Sequence, residues 1–114
     1  RYTKYNQPSG PRDDEVLTVR GLALNRSTRQ CLLDERPLQL TPTEFNILWI
    51  LLREPGRVVG TEDLFREVWG ERYYEGANNT VMVHVRHLRE KMNDSPERAR
   101  YIKTVWGVGY KIEP

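Results

Sequence analysis

The sequence predicts an α+β fold, a winged helix-turn-helix with an N-terminal four-stranded antiparallel sheet, three helices and a C-terminal β-hairpin as the wing. Three observations predict it. Residues 15–40 break into short alternating or β-branched runs between turn residues. Residues 41–93 carry helical apolar spacing behind helix-start signals. Residues 101–112 form two β-rich runs around Trp106-Gly107-Val108-Gly109. A length of 114 residues suffices for one domain with its own core. Its 38% apolar and 30% charged residues are the balance of a globular protein rather than a disordered one.

Residues 1–14 mix Pro, Gly, Ser, Asn and charge without an apolar period, and read as a linker ahead of a domain over 15–114. The chain opens on Arg1 rather than Met, the expectation for a piece of a longer protein. Strands are expected at Glu15–Arg20, Leu22–Asn25, Arg29–Leu33 and Pro37–Leu40, separated by Gly21, by Asn25–Thr28 and by Asp34-Glu35. This meander would pack on the helices as a platform without chemistry of its own. Leu40-Thr41-Pro42-Thr43-Glu44-Phe45 then supplies a full helix start: Thr41 as N-cap, Pro42 at N1, Glu44 closing a capping box, and Leu40 with Phe45 as a hydrophobic staple. That helix should run from Pro42 to about Arg53, packing Phe45, Leu48, Trp49 and Leu52 into the core, and stop at Pro55-Gly56. Val58-Val59 can add a short strand. Thr61 is expected to cap a second helix over Glu62 to Trp69, ended by Gly70. Residues 71–78 then form a loop longer than a helix-turn-helix turn requires.

The third helix, Asn79 to Asn93, carries two different faces. At about 100° per residue, Val81, Val85, Leu88 and Met92 make one apolar stripe. The opposite side offers Thr80, Val83, His87 and Glu90, flanked by Asn79, Arg86 and Lys91. Arg86, Arg89 and Lys91 meet a single acid, Glu90, so the surface suits a polyanion. Arg can donate bidentately to guanine, Asn can pair with adenine, and Val can touch a thymine methyl, which is the chemistry of a major groove. Charge along the chain agrees. Residues 13–71 hold seven Lys/Arg against eleven Asp/Glu, whereas residues 79–111 hold seven against three, a basic C-terminal third on an acidic body. An ordinary solvated face is the competing explanation. The hairpin would follow as the wing, with Lys103, Thr104 and Trp106 near its tip and Gly107 and Gly109 permitting positive φ or close backbone approach.

Other function classes find little support. No apolar run approaches the roughly 18 residues of a membrane span. Cys31 stands alone, with no disulfide partner and no metal-ligand spacing, and suits the reduced interior of a cytoplasmic protein. His84, His87 and Glu90 form an H-x-x-H-x-x-E run, but they fan across one helix instead of converging on a metal. No Ser-His-Asp arrangement and no glycine-rich phosphate loop can be assembled, so no catalytic residue, cofactor or metal is expected. A protein-interaction module remains the alternative, because a winged helix can also serve as a scaffold.

LTPTEF at 40–45, NNTVMVHVRHLREKM at 78–92 and YIKTVWGVGYKI at 101–112 resemble the effector domain of OmpR/PhoB-type two-component response regulators. The resemblance covers essentially all of residues 15–113. RYTKYN, HVRHLREKMND and YIKTVWGVGYKIE are most similar to the members that control vancomycin-resistance genes. The resemblance implies transcriptional regulation by a cytoplasmic protein whose receiver domain, absent from this sequence, is phosphorylated by a sensor histidine kinase. It implies head-to-tail dimers on direct repeats of promoter DNA. It also makes residues 70–78 a contact region for RNA polymerase, through Glu71, Arg72, Tyr73, Tyr74 and Glu75. On the third helix it assigns Asn79, Thr80, His84, Arg86, His87 and Arg89 to phosphates or bases and Val83 to thymine. Val83, Arg86 and His87 are expected to read bases, and Thr80, His84 and Arg89 to hold phosphates. His87 stands where many relatives have Arg, and Trp106 where several have a wing Arg. Trp106 would therefore pack along sugar and phosphate or brace the hairpin.

Overall fold

The computed structural model describes residues 16–114, in two compact units that divide between Leu38 and Gln39. The expected linker at 1–14, and Glu15 as a strand residue, lie outside the described residues.

The first unit is a four-stranded antiparallel meander, β1 (Val16–Val19), β2 (Leu22–Asn25), β3 (Gln30–Leu33) and β4 (Arg36–Leu38), in sheet order β1-β2-β3-β4. Val19 pairs with Leu22 and Leu33 with Arg36, so both outer hairpins turn on two residues. The turn residues Arg20, Gly21, Asp34 and Glu35 all have positive φ, the backbone that matches strand twist in two-residue loops. Period-2 alternation puts Val19, Leu22, Leu24 and Cys31 on one buried face. Arg29 belongs to the preceding turn, with φ 60, rather than to β3 as expected. The fourth strand begins and ends earlier than expected because its register is set by the turn at Asp34-Glu35.

The second unit holds three helices and the remaining strands. Helix α1 (Pro42–Leu52) starts on the expected capping box: Glu44 N donates to Thr41 Oγ1 at 3.1 Å and Thr41 N donates to Glu44 Oε1 at 3.0 Å. Phe45, Ile47, Leu48, Ile50, Leu51 and Leu52 are buried, whereas Trp49, expected in the core, is half-buried and stacks on Phe45 at 6.3 Å. An indole is too large to be enclosed where smaller residues already fill the helix's inner side.

Val59–Gly60 forms β5 and passes directly into α2 (Thr61–Trp69). Gly60 is therefore the N-cap, and Thr61, expected there, is the first helical residue; its backbone N–H donates to Val108 O at 3.1 Å. Gly70 closes α2 in the left-handed region, as expected. Helix α3 spans Ala77–Met92, two residues longer at its start than expected, because Gly76 at φ 97 turns the chain into the helix and Ala77 is buried. Asn93, also left-handed, caps its C-terminus. The hairpin is β6 (Ile102–Val105) and β7 (Gly109–Ile112), and β5 adds to it in the order β5-β7-β6. The two wing glycines divide their roles. Gly107 has φ 79 in the turn, and Gly109 lies so close to β5 that a Cβ would sit 2.0 Å from Val59 O.

Candidate nucleic-acid interface

Helix α3 is pinned by its apolar stripe, since Val81, Val85, Leu88 and Met92 are all buried. Their burial fixes which residues face outward: Asn78, Asn79, Met82, Val83, Arg86, His87 and Glu90 are exposed. Arg86 and His87 have no side-chain ion-pair or hydrogen-bond partner among the described residues, and both are exposed. Met82 and Val83, 49% and 39% exposed, put apolar surface between them. Asn78 was assigned to the loop in the sequence, because two successive asparagines look like a helix start rather than a first turn.

The hairpin stands beside this face. Asn79, Met82, Val83, Arg86, Thr104 and Trp106 line one open groove of about 1260 Å³ between α3 and the wing. Lys103 is exposed on β6. Trp106 is 89% exposed at the tip, so its indole does not brace the hairpin.

Three of the expected residues are engaged within the fold. His84 is half-buried, with Nδ1 at 2.8 Å from Thr80 O and its ring edge-on to Trp69 at 5.2 Å, so Nε2 is the nitrogen left for an outside partner. Thr80 is half-buried beside it. Arg89, expected to hold a phosphate, is only 9% exposed. Its Nε and Nη2 donate to Ile102 O at 3.3 and 2.8 Å, and Nη2 also donates to Thr104 Oγ1 at 2.8 Å. Burial lowers the Arg89 pKa, while the Asp94 charge raises it, and a guanidinium so bonded stays protonated. Lys91, read from the sequence as part of the basic flank, donates instead to Gln39 O at 2.8 Å and to Glu44 Oε1 at 2.7 Å.

Past the end of α3, Asp94 accepts backbone N–H bonds from Arg100, Tyr101 and Ile102 at 2.7, 3.2 and 3.0 Å, which fixes the approach to β6. Between α2 and α3, residues 71–76 are anchored by aromatic edges: Tyr73 and Tyr74 both meet Phe65 edge-on, at 6.0 and 5.5 Å. Tyr74 still exposes half of its surface. Among the described residues no group of three or more His, Cys, Asp or Glu is placed to hold a metal. Among those residues no helix is long and apolar enough to cross a membrane.

Comparisons with known proteins converge. Residues 35–112 match the family model described as transcriptional regulatory protein, C terminal. The regulatory protein VanR of Enterococcus faecium is 53% identical over 112 residues, 96% of this chain and 48% of that protein. The chain spans about half the length of the curated relatives it matches. Among solved structures, the DNA-binding domain of Klebsiella pneumoniae RstA, in complex with the RstA box, superposes with a TM-score of 0.81 at 27% identity, covering 88% of this chain and 98% of that one. The response regulator DrrB of Thermotoga maritima, an OmpR/PhoB homologue, gives a TM-score of 0.77 at 29% identity, covering 88% of this chain and 45% of that one.

Proposed function

We infer this chain's function from one premise: it belongs to the OmpR/PhoB-type family of C-terminal domains of transcriptional regulatory proteins, which the match over residues 35–112 establishes. The chain binds double-stranded promoter DNA, with α3 in the major groove and the wing on the flanking backbone or minor groove. One observation carries this reading. The buried stripe of α3 leaves Asn79, Val83, Arg86 and His87 exposed together, Arg86 and His87 unpaired among the described residues, and Asn79, Val83 and Arg86 line the groove shared with the wing. In that position Val83, Arg86 and His87 read base edges, and Asn79, Thr80 and His84 hold the strand beside them. Lys103, Thr104 and Trp106 meet the sugar-phosphate wall. Arg89 acts from beneath, as a brace between α3 and β6.

Around this domain we place a response regulator. Residues 1–14 link it, over residues 15–114, to a receiver phosphorylated by a sensor histidine kinase, and two copies bind head to tail on direct repeats about one helical turn apart. Glu71, Arg72, Tyr73, Tyr74 and Glu75 contact RNA polymerase in the cytoplasm. The similarity to VanR supports vancomycin-resistance genes as the target. The test is fluorescence anisotropy of this domain against a direct-repeat promoter duplex and a scrambled one, each at two salt concentrations. Salt-sensitive binding that prefers the promoter is expected. Absence of binding at low salt overturns the reading in favour of a protein-interaction module.

A further inference from the structure

We propose that Arg89 is a positioning residue that acts on DNA through Thr104, by consuming one lone pair of the Thr104 hydroxyl so that its proton is left to be donated to a backbone phosphate. This rests on the DNA-binding reading above. A threonine hydroxyl has one proton and two lone pairs and rotates to suit its neighbours. At Thr104 that freedom is restricted, because Arg89 Nη2 donates to Oγ1 at 2.8 Å. The oxygen is thereby committed as an acceptor toward the protein interior. The Thr104 hydroxyl donates to no acceptor among the described residues, and Thr104 lines the groove between α3 and the wing. The adjacent cation also polarises the O–H, which strengthens its bond to an anion.

The arginine is well placed for this task and poorly placed for direct contact. It is nearly enclosed, and two further bonds to Ile102 O hold its guanidinium to the β6 backbone, so it orients Thr104 and fixes β6 against α3 with the same plane of atoms. Lysine in its place would keep the charge but could not present the fork.

The experiment compares the domain with Thr104→Ser, Thr104→Val, Arg89→Lys and the Val/Lys double variant, on promoter and scrambled duplexes. It also uses duplexes in which one phosphate at a time is replaced by a neutral methylphosphonate. Thermal melts of each variant accompany the titrations. Thr104→Val is expected to lose roughly three- to tenfold in affinity on both duplexes alike, with Thr104→Ser near wild type. Arg89→Lys should lose a similar factor, and the double variant no more than either alone. One phosphate should matter to wild type and to Thr104→Ser but not to Thr104→Val or Arg89→Lys. Losses that multiply in the double variant, or a second phosphate lost specifically with Arg89→Lys, would show that Arg89 touches DNA itself and overturn the proposal. Wild-type affinity in Thr104→Val overturns it without any Arg89 variant, should Arg89→Lys fail to fold. Failure of wild type to bind either duplex would instead remove the DNA-binding reading on which it rests.

Discussion

Glu44 shows how one side chain can serve two elements. Its Oε1 accepts both the Thr41 backbone N–H, which closes the start of α1, and the Lys91 ammonium, which ties in the end of α3. Burial alone would raise its pKa, but the bonds from Lys91 and Thr41 and the Lys91 charge hold the carboxyl below its ordinary value. A carboxyl with a lowered folded pKa contributes its stability fully above the unfolded value, near about 4.3, and loses it as pH falls through the folded value. Glu44→Gln should therefore cost about 1 kcal/mol at pH 7, and the gap to wild type should close in urea melts taken below pH 4. A gap independent of pH would mean that the charge contributes nothing. Gly109 gives a second test. Alanine there would thrust Cβ into Val59 O, so Gly109→Ala should destabilise by about 2–3 kcal/mol. Gly107→Ala meets open space and only the penalty of positive φ, about 1 kcal/mol, so its melting point should fall less. The capping box was legible in the sequence because its partners lie three residues apart. The engagement of Lys91 was not, because Gln39 and Glu44 are distant in the chain and only the packed helices bring them to it.

At the scale of the element, the proposed function divides α3 into residues that read and residues that hold. Arg86→Ala and His87→Ala are each expected to lose about 1–3 kcal/mol of binding, concentrated at one base pair, in titrations against single-base variants of the operator. Equal losses on promoter and random duplexes would move these residues to the backbone. Trp106→Arg should make the slope of log affinity against log salt more negative by about one, since it adds a phosphate-seeking charge at an exposed tip. An unchanged slope would mean the tip stays off the duplex. Periodicity in the sequence located both faces of α3, because the apolar stripe is a property of one helix. It counted Arg89 with the exposed basic surface, whereas the side chain is buried. At its position a helical wheel shows a cation on the border of the stripe, and only the carbonyl of Ile102, thirteen residues on, turns it inward. The start of α3 was similarly obscured: Gly76 with positive φ is a turn residue by composition, yet here it opens the helix.

At the scale of the molecule, the proposed function puts DNA contact on α3 and the wing and polymerase contact on residues 71–75, so the two should be separable by mutation. Replacing both Tyr73 and Tyr74 by Ala should leave anisotropy curves on promoter DNA within twofold of wild type, while a regulator carrying the change loses transcription in a purified polymerase assay. Both rings lean on Phe65, so some loss of thermal stability is also expected. Reduced DNA affinity would place residues 71–76 at the duplex instead. The order of strands, helices and wing was readable in full, since turns, caps and glycines mark each boundary locally. Their three-dimensional pairing was less so, and β5 is the instance: Val58-Val59 suggests a short strand, but the strand is Val59–Gly60, set by where β7 lies alongside it.

That pairing also governs when the domain can be finished. Val59 is registered on Tyr110, Gly56 N–H donates to Ile112 O at 2.7 Å, and Thr61 N–H donates to Val108 O. The segment that leads into α2 thus waits on residues made some fifty positions later. During synthesis β5 is therefore expected to lack its partner strand until β7 has cleared the exit tunnel, and stalled chains that end before β7 should be cut by protease at residues 56–61 more readily than the full domain.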